Sequence, residues 1–236
     1  MLQFVSATGS TNSDLSDRLR SGDPVAEGFW LIADRQSAGR GRLGRLWSDG
    51  AGNFMGSTVV YPQPRDPHAG SLALVVGLAV QAAVTPRLPA PHVALLKWPN
   101  DLMVGAAKLA GILLERVGDG VVVGVGVNLS QAPEVPGRET VSLAAFGPAP
   151  DRDLFATDLA GALTEELGRW RQFGLAALLA RWQAGAHRPG TALTATLADG
   201  TRLSGRFDGL DEVGALRLRL PCGTTQLIHA GDITLA

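Results

Sequence analysis

The chain is short of cysteine, of net charge and of lysine, and each shortage narrows the functions open to it. Its single cysteine, Cys222, can form neither an internal disulfide nor a cysteine-based zinc site. A reducing compartment, the cytoplasm, is the natural home of such a chain. The formal net charge is −1, so no face-wide basic excess is available to nucleic acid or to an anionic membrane, and contact with any polyanion must be local. Long apolar runs are also missing. The most apolar stretch, LALVVGLAVQAAV at 72–84, contains Gln81. It falls short of the roughly 20 residues of a spanning helix and reads as a buried helix. The opening MLQFVSATGSTNSD lacks the basic and apolar regions of a secretory signal. His68, His92, His187 and His229 show no metal-ligand spacing, and no GxxxxGK[ST] phosphate loop occurs.

Of the 21 cationic residues only Lys97 and Lys108 are lysine, and asparagine is confined to positions 12, 53, 100 and 128. A chain that otherwise uses arginine spends these two side chains where a compact ammonium or a neutral amide fits a particular geometry. In STNSDLSDRLRSG, the Ser10-Thr11-Asn12 cap and Leu15 and Leu19 predict a short amphipathic helix closed by Gly22. GFWLIADRQSAG and GNFMGSTVVYP read as strands, as do HVALLKWPN, AAKLAGILLERV and GVVVGVGVNLS, the last two joined by Gly118-Asp119-Gly120. Strands and helices mix without strict alternation, which points to an α+β arrangement with a largely antiparallel or mixed sheet. Residues 131–150 read as loop. Phe155, Leu159, Leu163, Leu167 and Trp170 predict a helix, and a second follows at 175–184. Beyond HRPG, short alternating runs between glycine turns predict a small all-β barrel of five or six strands.

RQSAGRGRLGRLW, residues 35–47, sets Arg35, Arg40, Arg42 and Arg45 among glycines, with no acid before Asp49. GRGRLG at 39–44 has the form GxGxxG. The segment after it, RLWSDGAGN, lacks the helical period needed to carry a pyrophosphate, so a Rossmann reading fails. Four guanidinium groups repel one another, and an arriving anion would relieve that. Forked guanidinium donors beside a glycine backbone suit a small phosphate-bearing ligand. The plain alternative is a solvated surface loop. A nucleic-acid surface would need more aromatics than the nearby Trp47.

GRGRLGRLW resembles the signature loop of biotin protein ligases, and three further segments agree in kind and order. STN at 10–12 is similar to the family's biotin-contacting turn, KWPNDL at 97–102 with KLAGILLE at 108–115 to its second hallmark, and GVGVNL at 124–129 to its third. The likeness runs the length of the chain and takes in both lysines. It implies a class II aminoacyl-tRNA synthetase-like α/β catalytic domain at 1–186 and an SH3-like β-barrel at 187–236. It also implies a two-step reaction, in which ATP and biotin give biotinyl-5′-AMP and a carrier-protein lysine then takes the biotin. Arg42, Lys108 and Asp101 are the implied catalytic residues. Biotin contacts are implied for Ser10, Thr11, Asn12, Gln36, Gly39, Arg40, Gly41, Arg42, Trp47, Lys108 and Gly111. Nucleotide contacts are implied for Arg40, Arg42, Arg45, Trp47, Asn100 and Asn128.

Lys108 would bridge the biotin carboxyl and the α-phosphate, with Asp101 either orienting it or serving as a base. Mg²⁺ would come with ATP, held mostly by phosphates and water and not by a protein-only cage. The implied partner is a biotin carboxyl carrier protein, and a homodimer is compatible with an exposed sheet edge. Regulatory members of the family carry an N-terminal helix-turn-helix. The first motif here begins at residue 10, so DNA binding is not expected, nor is membrane association. Two alternatives stay open: a lipoate ligase or octanoyl transferase, and a non-enzymatic nucleotide-binding module.

Overall fold

The valines and glycines of GVVVGVGV shape the sheet from its centre. They form β7 (Gly120–Val127), and the computed structural model, which describes residues 1–235, places this strand in the middle of a seven-stranded mixed sheet. The other strands are β1 (Leu2–Val5), β2 (Trp30–Ala33), β3 (Phe54–Val60), β4 (Ala94–Lys97), β5 (Asp101–Val104) and β6 (Ala107–Val117). Their order is β1-β2-β3-β7-β6-β5-β4, with β1 and β2 parallel and every other pairing antiparallel. Side chains alternate across a strand. Val121, Val123, Val125 and Val127 therefore enter the main core, whereas Val122 joins Leu15, Leu31 and Val59 in a smaller cluster on the opposite face. The two next residues on that opposite face are Gly124 and Gly126, and there the sheet is left bare.

Helix α1 (Thr11–Arg20) covers Val122, seating Leu15 in the small cluster, and Ser10 caps it by accepting from the Ser13 N–H. Helices α2 (Leu72–Val84) and α3 (Arg152–Ala184) cover the other face of the sheet. The predicted buried helix is α2, which with the short turns on either side makes up Ala69–Arg87, among the described residues the one helical stretch long and apolar enough to cross a membrane; here it lies in the core with Leu72, Val75, Val76 and Ala79 fully enclosed. All five residues of the predicted α3 stripe are buried, and Gly174, at φ 73°, breaks the helix where two helices were predicted.

Two strands escape the sequence reading. β1 is only four residues long, and β5 directly follows the WPN turn with four buried residues and no polar alternation. After α3 come β8 (Ala192–Thr196), β9 (Arg202–Leu210), β10 (Leu216–Arg219), β11 (Thr225–Ile228) and β12 (Asp232–Leu235). They form one antiparallel sheet in the order β11-β10-β9-β8-β12. Its inner side chains, Leu193, Phe207, Leu210, Leu216 and Ile233, are continuous with the main core. The buried Trp98 indole donates to the Gly214 carbonyl at 3.0 Å, and the backbone N–H of Leu210 donates to Gln183.

Candidate active site

A cavity of about 380 Å³ opens where the sheet is bare. Its floor is Gly124 and Gly126 of β7 and Gly111 of β6, which stand in register as Gly111↔Gly126. A Cβ on Gly126 would lie 2.3 Å from the Trp47 ring, and one on Gly124 would lie 2.3 Å from Asn12 Oδ1. At Gly111 it would meet the Trp47 ring at 3.0 Å and Lys108 Nζ at 2.9 Å. These three positions admit only glycine while the flanking side chains stay where they are.

One end of the cavity is polar and almost without net charge. The backbone N–H of Thr11 donates to Gln36 Oε1 at 2.8 Å, and the Thr11 and Ser57 hydroxyls lie 2.7 Å apart. Ser57 Oγ donates to Asn12 Oδ1 at 2.6 Å, and Asn12 Nδ2 donates to Glu115 Oε2 at 2.8 Å. Arg40 Nη2 donates to that same carboxylate oxygen at 3.0 Å. Ser10, Thr11, Asn12, Gln36 and Ser57 are all buried. A connected network of this kind fixes the direction of each donor and acceptor before a ligand arrives.

The other end is cationic, and a β-bulge aims it. Along β5 and β6 the register runs Asp101↔Gly111 and Leu102↔Ala110, then shifts to Met103↔Lys108, leaving Leu109 as the extra residue. Strict alternation from Gly111 would turn Lys108 away from the cavity, and the bulge restores it to the Gly111 face. Lys108 Nζ then lies 2.5 Å from Asp101 Oδ1, while Lys97 Nζ lies 2.9 Å from Asp101 Oδ2 and donates to the Ile233 carbonyl at 2.8 Å. Burial works to raise the Asp101 pKa, but Lys108 and Lys97 outweigh it and hold the carboxyl at about 2. Burial lowers the pKa of Lys108, against the pull of Asp101, and Arg138 and Lys97 push the same way as burial.

The arginine loop, read as four unrelieved charges, is largely neutralised by acids distant in sequence. Arg35 pairs with Asp49, Arg40 with Glu115 of β6, and Arg45 with Asp232 of β12. Repulsion within the loop is therefore no argument for an anion. Among the described residues Arg42 is the exception in this loop, since its guanidinium meets no carboxylate. It donates to Asn100 Oδ1 at 3.0 Å and to the Gly231 carbonyl at 3.2 Å, and burial lowers its pKa. The turn at Arg42–Gly44 holds Leu43 at φ 57°, a left-handed conformation uncommon outside glycine, and Leu43 and Leu46 stay exposed.

The cavity gathers nearly all the residues named from sequence: Ser10, Thr11, Asn12, Gln36, Arg40, Gly41, Arg42, Arg45, Trp47, Asn100, Asp101, Lys108, Gly111 and Asn128 line it. Gly39 does not. It backs Trp47, whose carbonyl oxygen a Cβ there would approach to 2.7 Å. Asn128 donates to the Val141 carbonyl at 3.1 Å, and the Trp47 indole N–H is buried without an acceptor. Asn53 lies elsewhere, accepting from the backbone N–H groups of Ser130 and Gln131. Sequence reasoning marked Lys97 by its rarity without giving it a role, and missed Ser57, Glu115, Arg138 and Asp232. A serine inside the apolar FMGSTVV was a visible signal, whereas nothing near residue 232 announces contact with residue 45. Among the described residues no group of three or more His, Cys, Asp or Glu side chains converges as a metal site.

The model of the biotin/lipoate A/B protein ligase family matches residues 5–130. A biotin–[acetyl-CoA-carboxylase] ligase of Mycobacterium tuberculosis is 38% identical, over 98% of this chain and 88% of the relative. The one from Paracoccus denitrificans is also 38% identical, over 98% of each. Among solved structures, the biotin protein ligase of Aquifex aeolicus in complex with biotin and ATP superposes with a TM-score of 0.85 at 27% identity. That superposition covers 100% of this chain and 98% of the other. A family match over more than half of the chain, together with relatives of this identity along nearly its full length, establishes that the chain belongs to the biotin/lipoate A/B protein ligase family.

Proposed function

We propose that this chain is a biotin–[acetyl-CoA-carboxylase] ligase, which activates biotin with ATP to biotinyl-5′-AMP and then transfers biotin to a lysine of a biotin carboxyl carrier protein. The observation that carries this reading is the polarity of the cavity over the bare part of the sheet. Buried neutral donors and acceptors around Ser10, Thr11, Asn12, Gln36 and Ser57 suit a ureido ring, and Arg42 and Lys108 face the space beyond.

In the first step a carboxylate oxygen of biotin attacks the α-phosphorus of ATP and pyrophosphate leaves. Two anions must meet, and fixed cations in a site shielded from water stabilise the charge that develops. Asp101 is shared between two ammonium groups, so the buried Lys97–Asp101–Lys108 corner keeps a net positive charge. Lys108 bridges carboxylate and phosphate, and Arg42, which meets no carboxylate among the described residues, completes the pair. Arg40 and Arg45, whose acids are part-exposed, are set to exchange those partners for phosphate oxygens. In the second step the ε-amine of the carrier lysine attacks the acyl carbon of the mixed anhydride, AMP leaves, and the amine gives up a proton to solvent water. Asp101, held at about 2 and bonded through both oxygens, orients Lys108 and is a poor acceptor for that proton.

Mg²⁺ enters as the ATP complex, held by phosphates, since Glu115 and Asp232 are paired with arginine and Asp101 with lysine. We read residues 1–186 as a catalytic unit of the class II aminoacyl-tRNA synthetase kind and 187–236 as an SH3-like barrel. The five antiparallel strands of the latter, β8 to β12, support that reading. Trp47, lying on Gly126 and Gly111, serves as a wall for the ligand.

Biotin-dependent exchange of pyrophosphate into ATP tests this reading, with lipoate as the parallel substrate. Exchange with biotin alone is expected. Exchange with lipoate alone would transfer the reading to the lipoate side of the family, and exchange with neither would end the adenylation account.

A further inference from the structure

Lys97 lies at the end of β4, on the far side of Asp101 from the cavity, and does not line it. Its ammonium is nevertheless buried, and it is held between Asp101 Oδ2 at 2.9 Å and the backbone carbonyl of Ile233 at 2.8 Å. An unbroken polar path thus runs from the last strand of the C-terminal sheet through Lys97 and Asp101 to Lys108. A buried ammonium without such partners costs several kcal/mol, so the position persists only as part of this path. The residue type fits the task as well. Three donors on a compact head can serve a carbonyl and a carboxylate in one corner, where a planar guanidinium would need more room.

We propose that Lys97 is a positioning residue for adenylation: by tying Asp101 to the Ile233 carbonyl it fixes the carboxylate that aims Lys108 into the cavity. It also prevents Asp101 from neutralising Lys108 completely, because one carboxylate serves two ammonium groups. The proposal rests on the adenylation reading for its catalytic part, whereas the link from Lys97 to Lys108 stands apart from it. The charged and titratable groups around this corner are Asp101 of β5, Lys108 of β6, Arg42 and Arg45 of the arginine loop, Arg138 of the loop after β7, His187 after α3 and Asp232 of β12. His187, whose Nε2 is buried without a partner, has its pKa lowered first by burial and then by Lys97.

With only two lysines in the chain, each amine can be followed separately. The full-length wild type and Lys97→Met are labelled with trace acetic anhydride across a pH series, and the peptide carrying Lys108 is read by mass spectrometry. Biotin-dependent pyrophosphate exchange is measured on the same samples, with thermal unfolding as the check on folding. Loss of the like charge at position 97 is expected to move the Lys108 labelling midpoint upward. Misplacement of Lys108 is expected to slow exchange by about tenfold to 100-fold. If Lys97→Met does not fold, Lys97→Gln, which keeps a donor for Ile233 but no charge, carries the same two expectations. An unmoved midpoint overturns the proposal whatever the exchange rate does, and so does a raised midpoint with a wild-type exchange rate. If the wild type itself shows no exchange, the adenylation reading has failed. The proposal then falls as a statement about adenylation, while the midpoint still decides whether Lys97 and Lys108 are coupled.

Discussion

Lys108 shares its carboxylate with Lys97, and Arg42 meets none among the described residues, and the residue-scale predictions follow from these two arrangements. Lys108→Ala removes the ammonium between the reacting anions and is expected to slow biotinyl-AMP formation by about 100-fold or more, read by pyrophosphate exchange with an unchanged circular dichroism spectrum. Asp101→Asn leaves Lys97 and Lys108 buried without their carboxylate. Breaking a buried pair in this way costs about 3–5 kcal/mol, visible as a lower denaturation midpoint. The same carboxyl gives stability a pH dependence. Its folded pKa of about 2 lies below the ordinary 3.8, so its contribution is complete above pH 3.8 and is lost as pH falls towards 2. Urea titrations in this window are expected to show a steeper loss for the wild type than for Asp101→Asn. At this scale the motif residues were legible because rarity marked them: both lysines, and Asn12, Asn100 and Asn128. Glu115 was not, since a glutamate in a strand looks like any other until the register sets it beside Asn12 and Arg40, and Ser57 left only the faint signal of a serine within the apolar FMGSTVV.

At the scale of elements, β7 and the β6 bulge decide where chemistry can occur. Gly126→Val is expected to displace Trp47 and weaken ligand binding with little change in stability, which isothermal titration with biotin would detect. Deleting Leu109 removes the extra residue of the bulge and leaves Lys108 in strict alternation with Gly111, still on the cavity face, while the main core loses the Leu109 side chain. The denaturation midpoint is then expected to fall, while the protein that still folds keeps forming the adenylate. Helices α1, α2 and α3 and most of the strands were readable, because their apolar periods are long enough to declare themselves. β5 was hidden by its length and its uniform burial, and the bulge by the fact that a register shift belongs to two strands at once.

At the scale of the whole molecule, the C-terminal sheet takes part in the site. Three consecutive residues reach it: Gly231 accepts from Arg42, Asp232 pairs with Arg45, and Ile233 accepts from Lys97. These contacts join parts of the chain far apart in sequence, and no local pattern could have announced them. The small β unit was legible as a separate texture, but its service to the arginine loop was not. Asp232→Asn loosens the hold on Arg45 and is expected to make residues 39–47 more sensitive to trypsin in the ligand-free protein, with biotinyl-AMP restoring protection. Equal cleavage of wild type and variant would argue against the latch.

The central claim is that the cations of this cavity form an acyl adenylate from biotin, and a rapid-quench single-turnover measurement of biotinyl-AMP from α-labelled ATP tests it most directly. The account predicts a labelled adenylate with wild-type protein and biotin, and a rate lower by about 100-fold or more in folded Lys108→Met. Formation of the adenylate at the wild-type rate by that variant would contradict it.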